Sequence, residues 1–276
     1  MTVGFIDPGN WATNIAAGST FNYDLLWVVT LSTLVLILWQ HVSAHLGIAA
    51  GKCLAEATRE HMSRWAAAVF GSTAVAACIA TALAEILGAA LGLYILLSIP
   101  VKIGLILSTI FVILMNWFQQ YRSLEKLIIA FVSLIGFAYL IELYIVKPNW
   151  GVAAVHAVVP ELNSGSILIA MGVLGAVVMP HNMYLHSEII QSRQWSGKSE
   201  RETRRLLRYE FMDTLLAMII GMAINMAMVI VAAAVFHRHG VVVNEMTQAS
   251  ETLRPLAGQM AEVLFGVALL FAGLSS

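Results

Sequence analysis

Asp7-Pro8-Gly9-Asn10 and Met179-Pro180-His181-Asn182 share the pattern x-Pro-x-Asn, and each lies inside a long apolar run. Proline removes a backbone donor and clashes with the preceding helical turn, and Gly9 adds backbone freedom. In lipid every peptide N–H and C=O needs a partner within the protein. Each motif therefore predicts a helix unwound near mid-membrane, with carbonyls left over for another partner, and a bound cation is a good one. Two proline kinks that only shape packing are the plainer reading. An Asp and an Asn beside the break are costly at mid-bilayer, which favours a site.

The rest of the chain makes the lipid setting compulsory. Of 276 residues, 59% are hydrophobic and 11% charged, and the mean hydropathy is +0.82. A soluble domain has roughly 45–50% apolar and about 25% charged residues, and one this apolar lacks the polar groups to cover itself. The composition excludes a soluble enzyme and a disordered tail. It also excludes a nucleic-acid binder, because 15 Lys+Arg against 16 Asp+Glu leave no basic excess. A polytopic membrane protein remains. Cys53 and Cys78 make no disulfide framework and read as packing residues or free thiols.

A spanning helix needs roughly twenty mostly apolar residues. Eight such runs are read, at about 1–18, 24–46, 65–97, 101–118, 127–146, 166–191, 211–236 and 256–276. They are too long, too rich in Ala, Leu and Met, and too little alternating for strands. The expected fold is all-α, one transmembrane domain over 1–276. The breaks fall in the first and sixth spans, five crossings apart, and an odd offset inverts one copy relative to the other. Paired interrupted helices in inverted repeats point to a carrier's central site. Repeat one is read as 1–146 and a partial repeat two as 166–276. The first span reaches Asp7 after six residues and the eighth has no polar stop, so the expectation is a truncated chain with an incomplete second repeat.

Orientation follows from the Lys/Arg census of the loops. Lys52, Arg59, Arg64, Arg122, Lys126, Arg193, Lys198, Arg201, Arg204, Arg205 and Arg208 fall on one side, and Lys102, Lys147, Arg238 and Arg254 on the other. The first set is expected in the cytoplasm, so the first span runs outward.

The groups at the breaks suggest a ligand class. Asp7 offers a hard anionic oxygen, Asn10 a neutral one, carbonyls near Ala176 further oxygen, and Met179 a thioether. Oxygens alone suit Mg²⁺ or Ca²⁺. A soft sulfur tilts the preference toward Mn²⁺, Fe²⁺ or Cd²⁺.

Gly4-Phe5-Ile6-Asp7-Pro8-Gly9-Asn10-Trp11-Ala12-Thr13-Asn14 and the stretch Gly175 to Ser187, GAVVMPHNMYLHS, closely resemble the signature helices of the Nramp family. The linker Leu46 to Glu60, Leu83-Ala84-Glu85, and Ala272-Gly273-Leu274-Ser275-Ser276 look similar too, so the resemblance covers the whole chain. The family consists of proton-coupled divalent metal transporters with a LeuT-like inverted-repeat fold. The resemblance implies a metal site of Asp7, Asn10, Met179 and the Ala176 carbonyl. It implies a proton pathway through Asp7, Glu85 and His181, with His186 in a lesser role. Metal binding at a protonated carboxylate expels the proton, which gives coupling a physical basis. The family usually has an acid three residues before the glutamate that Glu85 matches, where this chain has Ala82, and this predicts a weakened or rerouted proton exit. Leu274 stands where a glutamine is usual, and the family has at least two further core helices.

The remaining polar residues read as follows. His41 and His45, at i, i+4, are expected at the cytoplasmic interface rather than on a metal. His181 and His186, five apart, do not share a regular helix face. Asp213 reads as a buried acid, Glu142 as one reaching the outer interface, and Asn225 as an interhelical hydrogen bond. The expected function is Mn²⁺ or Fe²⁺ import with protons across the cell membrane by alternating access. Its partners are the metal ion, protons and the bilayer, with no nucleic acid and no cofactor beyond the transported ion. The alternatives are a LeuT-like carrier of Mg²⁺ or an organic solute, and a non-transporting fragment or interaction subunit. An intramembrane metalloenzyme would need a His-Glu-x-x-His cluster, which the sequence lacks.

Overall fold

The computed structural model describes residues 7–118, 121–243, 246–254 and 258–275. The expected beginning of the first span, residues 1–6, and Ser276 at the end of the eighth lie outside the described residues. The α-helices among the described residues are α1 (Pro8–Phe21), α2 (Leu26–His45), α3 (Leu54–His61), α4 (Arg64–Leu97), α5 (Val101–Phe118), α6 (Tyr121–Val146), α7 (Trp150–His156), α8 (Ile167–Val177), α9 (Pro180–Ser192), α10 (Glu200–Val235) and α11 (Ala261–Ser275). No strand occurs among the described residues. Among the described residues, four helical segments are long and apolar enough to cross a membrane: Leu26–Ala50, Arg64–Leu97, Ile167–Ser192 and Glu200–His239. Shorter apolar helical stretches occupy Val101–Leu114, Gly136–Val146 and Ala261–Leu274.

Hydropathy marks the lipid-embedded part of a helix, not its hydrogen-bonded length. The seventh run reads as apolar from 211, yet α10 starts at Glu200. A capping box sets that start: Ser199 N donates to Glu202 Oε2 at 3.2 Å, and Glu202 N donates to Ser199 Oγ at 3.4 Å. Glu200 and Glu202 then sit favourably in the first turn.

The chain divides into two compact units. The first comprises Met1–Leu31, Ala82–Ala176 and Gly221–Ser276, the second Ser32–Thr81 and Val177–Ile220.

In the first unit Trp11 and Ile15 of α1 pack with Tyr139 of α6, Met228 of α10 and Phe265 of α11. The Trp11 and Phe265 rings lie 5.3 Å apart. Water gives no driving force between helices in lipid, so close backbone approach and polar pairs hold them together. A Cβ on Gly18 would stand 2.1 Å from the Val229 carbonyl oxygen, and one on Gly273 would stand 2.3 Å from that of Glu85. Asn225 makes the expected interhelical bond, accepting from Asn14 Nδ2 at 2.8 Å. Glu142 differs from expectation. It is fully buried, because its side of α6 is the one that carries Ala138 and Tyr139 into the core. Near the N-terminal end of α2 Thr30 Oγ1 donates to the Ala157 carbonyl at 2.7 Å, and Trp27 Nε1 to that of Glu161 at 3.2 Å.

In the second unit α2 continues through a π-helical turn, Leu46–Ala50, to Gly51 in the left-handed region at φ 67°. Gly47 lets α9 approach closely: a Cβ there would stand 2.8 Å from Ile190 Cγ2. Ala44, Ile48 and Ile190 form the buried centre of this contact.

Large apolar side chains cover the outside of the helices, Leu34, Leu38, Ile79, Leu83, Ile106 and Leu168 among them. Trp65, Trp117, Tyr144 and Trp150 are exposed at helix ends, as interfacial aromatics are in a bilayer.

Candidate metal and proton site

Both motifs interrupt helices. α1 begins at Pro8 in the first turn, with Asp7 as its N-cap in extended conformation, φ −82° and ψ 164°. Asp7 Oδ1 accepts from Asn10 N at 2.8 Å. A carboxylate there also faces the positive end of the helix dipole, and its second oxygen keeps lone pairs for a cation. Asp7 and Asn10 are both buried. Neither Nδ2 nor Oδ1 of Asn10 has a hydrogen-bond partner among the described residues.

The sixth span parts at Val178 and Met179, leaving α8 to end at Val177 and α9 to begin at Pro180. The last four carbonyls of a helix have no partner within it, and Ala176 belongs to that last turn. α8 meets α1 where a Cβ on Gly172 would stand 3.2 Å from Thr13 Cγ2. One turn from this contact toward the breaks lie Asn10 on α1 and Ala176 on α8. On the other side of the contact a cavity of about 300 Å³ is lined by Thr13, Ala16, Leu168, Gly172 and Met246.

Glu85 is buried in α4. One turn further along, a Cβ on Gly88 would stand 2.4 Å from Pro8 Cγ. α4 is thus seated on the helix break, with its glutamate one turn from that seat. Asp7, Asn10, Ala176 and Glu85 all belong to the first unit.

Met179, His181 and His186 belong to the second unit. Met179 is the buried N-cap of α9, and Asn182 Nδ2 donates to its sulfur at 3.5 Å. His181 is partly buried, and its Nδ1 has no partner among the described residues. The buried face of α9 is tied to α2 and α3. Ser43 Oγ donates to the Met183 carbonyl at 2.7 Å, and Leu54 N donates to Ser187 Oγ at 2.9 Å. Gln191 Nε2 donates to the Gly51 carbonyl at 3.0 Å and to Glu56 Oε2 at 2.6 Å. Cys53 N also donates to Glu56 Oε2, at 3.1 Å. That backbone bond, and next the Gln191 bond, hold the Glu56 carboxyl below its ordinary range.

His186 is buried and faces an acid that sequence reasoning missed. Its Nε2 lies 3.2 Å from Glu210 Oε1, and His41 Nδ1 lies 3.3 Å from Glu210 Oε2. Thr214 Oγ1 donates to Glu210 Oε1 at 2.7 Å. His41 is therefore more than an interfacial residue. Asp213, expected to be buried, is exposed. Positions 210, 214 and 218 form a buried i, i+4 row, and 213 lies off that row, about 100° around the helix axis from 214. That row shows in the burial of α10, whereas in the sequence position 210 falls at the end of a basic run. Asn182 stands inside the quoted motif, but only its contact with Met179 gives it a role.

The family model for natural resistance-associated macrophage protein-like proteins matches residues 1–276. The chain belongs to the Nramp family. Among curated relatives, the divalent metal cation transporter MntH of Granulibacter bethesdensis is 40% identical over 278 residues, covering 100% of this chain and 63% of its own. That of Bacillus subtilis is 42% identical over 277 residues, covering 99% and 65%. The chain thus spans less than two thirds of the length of these relatives. A glutamate-to-glutamine variant of the Eremococcus coleocola manganese transporter, a crystal structure, superposes with a TM-score of 0.80 at 29% identity. The match covers 100% of this chain and 60% of that one. As an Nramp protein the chain is an integral, multi-pass membrane protein. Its all-helical structure agrees with the expected fold class.

Proposed function

We propose that this Nramp chain moves divalent transition-metal ions, Mn²⁺ and Fe²⁺, across the cell membrane by alternating access, with protons accompanying them inward. The observation that carries the reading is the Asn10 amide, fully buried with neither polar atom paired among the described residues, beside the Asp7 carboxylate at the mouth of a broken helix. Leaving a buried polar group unpaired costs roughly 1–3 kcal/mol, and such costs concentrate at functional sites. A cation answers the Asn10 oxygen, the Asp7 charge and the last-turn carbonyls of α8 together.

In this reading Asp7 supplies charge, Asn10 and the Ala176 carbonyl supply neutral oxygen, and Met179 completes the set. The thioether favours softer ions over Ca²⁺ and Mg²⁺. The relatives named as divalent metal cation transporters and the neighbour named as a manganese transporter support this cargo. The ion displaces the Asp7 proton, and in this reading Glu85, one turn from the seat of Pro8, accepts it. His181 stands at the second break, and its Nδ1, without a partner among the described residues, takes part in this proton movement. No cofactor is needed beyond the transported ion.

The test is Mn²⁺ uptake into vesicles carrying the full-length polypeptide. Asp7→Ala is expected to abolish uptake. Wild-type rates in that variant, at equal protein in the membrane, sink the assignment.

A further inference from the structure

α4 offers no path for a proton leaving Glu85 toward the cytoplasm. Between Arg64 and Glu85 its titratable side chains reduce to Cys78, a free thiol exposed on the outside of the helix. Ala82, one turn before Glu85, is exposed as well. α9 carries what α4 lacks. His186 lies seven residues beyond Met179, about 10 Å along the helix axis and on nearly the same face. There it meets Glu210, whose side chain is 4% exposed. The two oxygens of this carboxylate are divided between two imidazoles, Oε1 toward His186 and Oε2 toward His41. The His41 side chain is 30% exposed and opens on a crevice lined by Arg204, Leu207, Arg208 and Phe211.

We propose that His186, Glu210 and His41 form a proton relay from the break above α9 to a cytoplasmic crevice, taking over the exit that α4 does not provide. The inference rests on the metal–proton reading above and adds its route. A proton arriving at Nδ1 of a neutral His186 releases the Nε2 proton to Glu210 Oε1. The neutral carboxyl turns half a revolution about its last bond, which presents the proton to His41 Nδ1. His41 then gives its Nε2 proton to water in the crevice, and a ring turn resets each tautomer. One proton enters and one leaves, with no net change in the relay.

Charged and titratable groups surround the exit of the relay. Arg204 and Arg208 of α10 flank His41 in the crevice, and His45 of α2 lies with its ring 6.0 Å from that of His41. Thr214, donating to Oε1, holds the carboxylate between transfers. All these groups lie in the second unit.

A purely structural staple between α2, α9 and α10 predicts something different, and the proton-to-metal ratio separates the two. The full-length polypeptide is reconstituted in proteoliposomes with a trapped pH dye, and Mn²⁺ and proton entry are followed together. Glu210→Gln and His41→Gln are expected to keep Mn²⁺ uptake, with proton co-entry slowed about a hundredfold, as when a positioned acid–base group is lost. Should Glu210→Gln fail to fold, His41→Gln decides, since His41 stands at the edge of the crevice. An unchanged ratio in His41→Gln overturns the relay alone. Mn²⁺ entry without protons in the unaltered protein overturns the coupling and the relay with it. Loss of both ions in Asp7→Ala, with a normal ratio in His41→Gln, leaves the metal site standing and removes only the relay.

Discussion

Pro8 rests directly on Gly88: the first ring of α1 occupies the space that any side chain at position 88 of α4 would need. The contact joins the broken helix to the helix that carries Glu85. Gly88→Val places a Cβ 2.4 Å from Pro8 Cγ, and overpacking of this kind costs about 1–3 kcal/mol. The expected outcome is a protein that still inserts in the membrane but has lost most Mn²⁺ uptake. Gly88→Ala is expected to be milder. Uptake normalised to membrane-inserted protein checks this, and an uptake-competent Gly88→Val argues against a rigid seat.

Asn182 Nδ2 donates to the Met179 sulfur, the thioether proposed above as a metal ligand. Groups that orient a metal ligand typically contribute 10–100-fold in affinity. Asn182→Leu is expected to weaken Mn²⁺ binding by about tenfold, measured by isothermal titration, while Met179→Ala lets Ca²⁺ compete. If Ca²⁺ rejection survives Met179→Ala, selectivity does not lie in the thioether.

The bond between Asn14 and Asn225 crosses from α1 to α10 with both side chains buried. Interhelical hydrogen bonds in membranes average about 0.6 kcal/mol and reach about 1.7. Asn14→Ala and Asn225→Ala are each expected to lower stability within that range, and the double variant to be less than additive. A double-mutant cycle in detergent reads the coupling directly.

Glu56 gives the second unit a pH response. Its carboxyl is held low by Cys53 N and then by Gln191, so its contribution is complete above the ordinary value of 4.5 and fades as pH falls through the lowered value. Acidification past that point is expected to loosen α3 from α9. A spin label at His61 should gain mobility there, and Glu56→Gln should remove the transition.

The breaks were legible because proline and glycine act through the backbone, and lipid turns an interrupted helix into a demand for partners. Asn225 was legible because a buried amide in an apolar run has few other uses. Glu210 was not, since the basic run around it reads as a solvated cytoplasmic segment. Its worth appears only when His41 and His186 arrive from elements far away in sequence. Asp213 misled for the complementary reason: an acid inside an apolar run looks buried until the phase of the helix is known. The start of α10 was missed because polarity reports where lipid ends, while Ser199 and Glu202 decide where hydrogen bonding begins.

The ties between α9 and the α2–α3 bend carry one further implication. Ser43, Leu54 and Gln191 lash the helix headed by Met179 to a short polar segment. A push on that segment is delivered through α9 as through a lever arm. An antibody fragment or peptide that clamps α3 therefore offers a handle on the thioether without ever entering the bilayer.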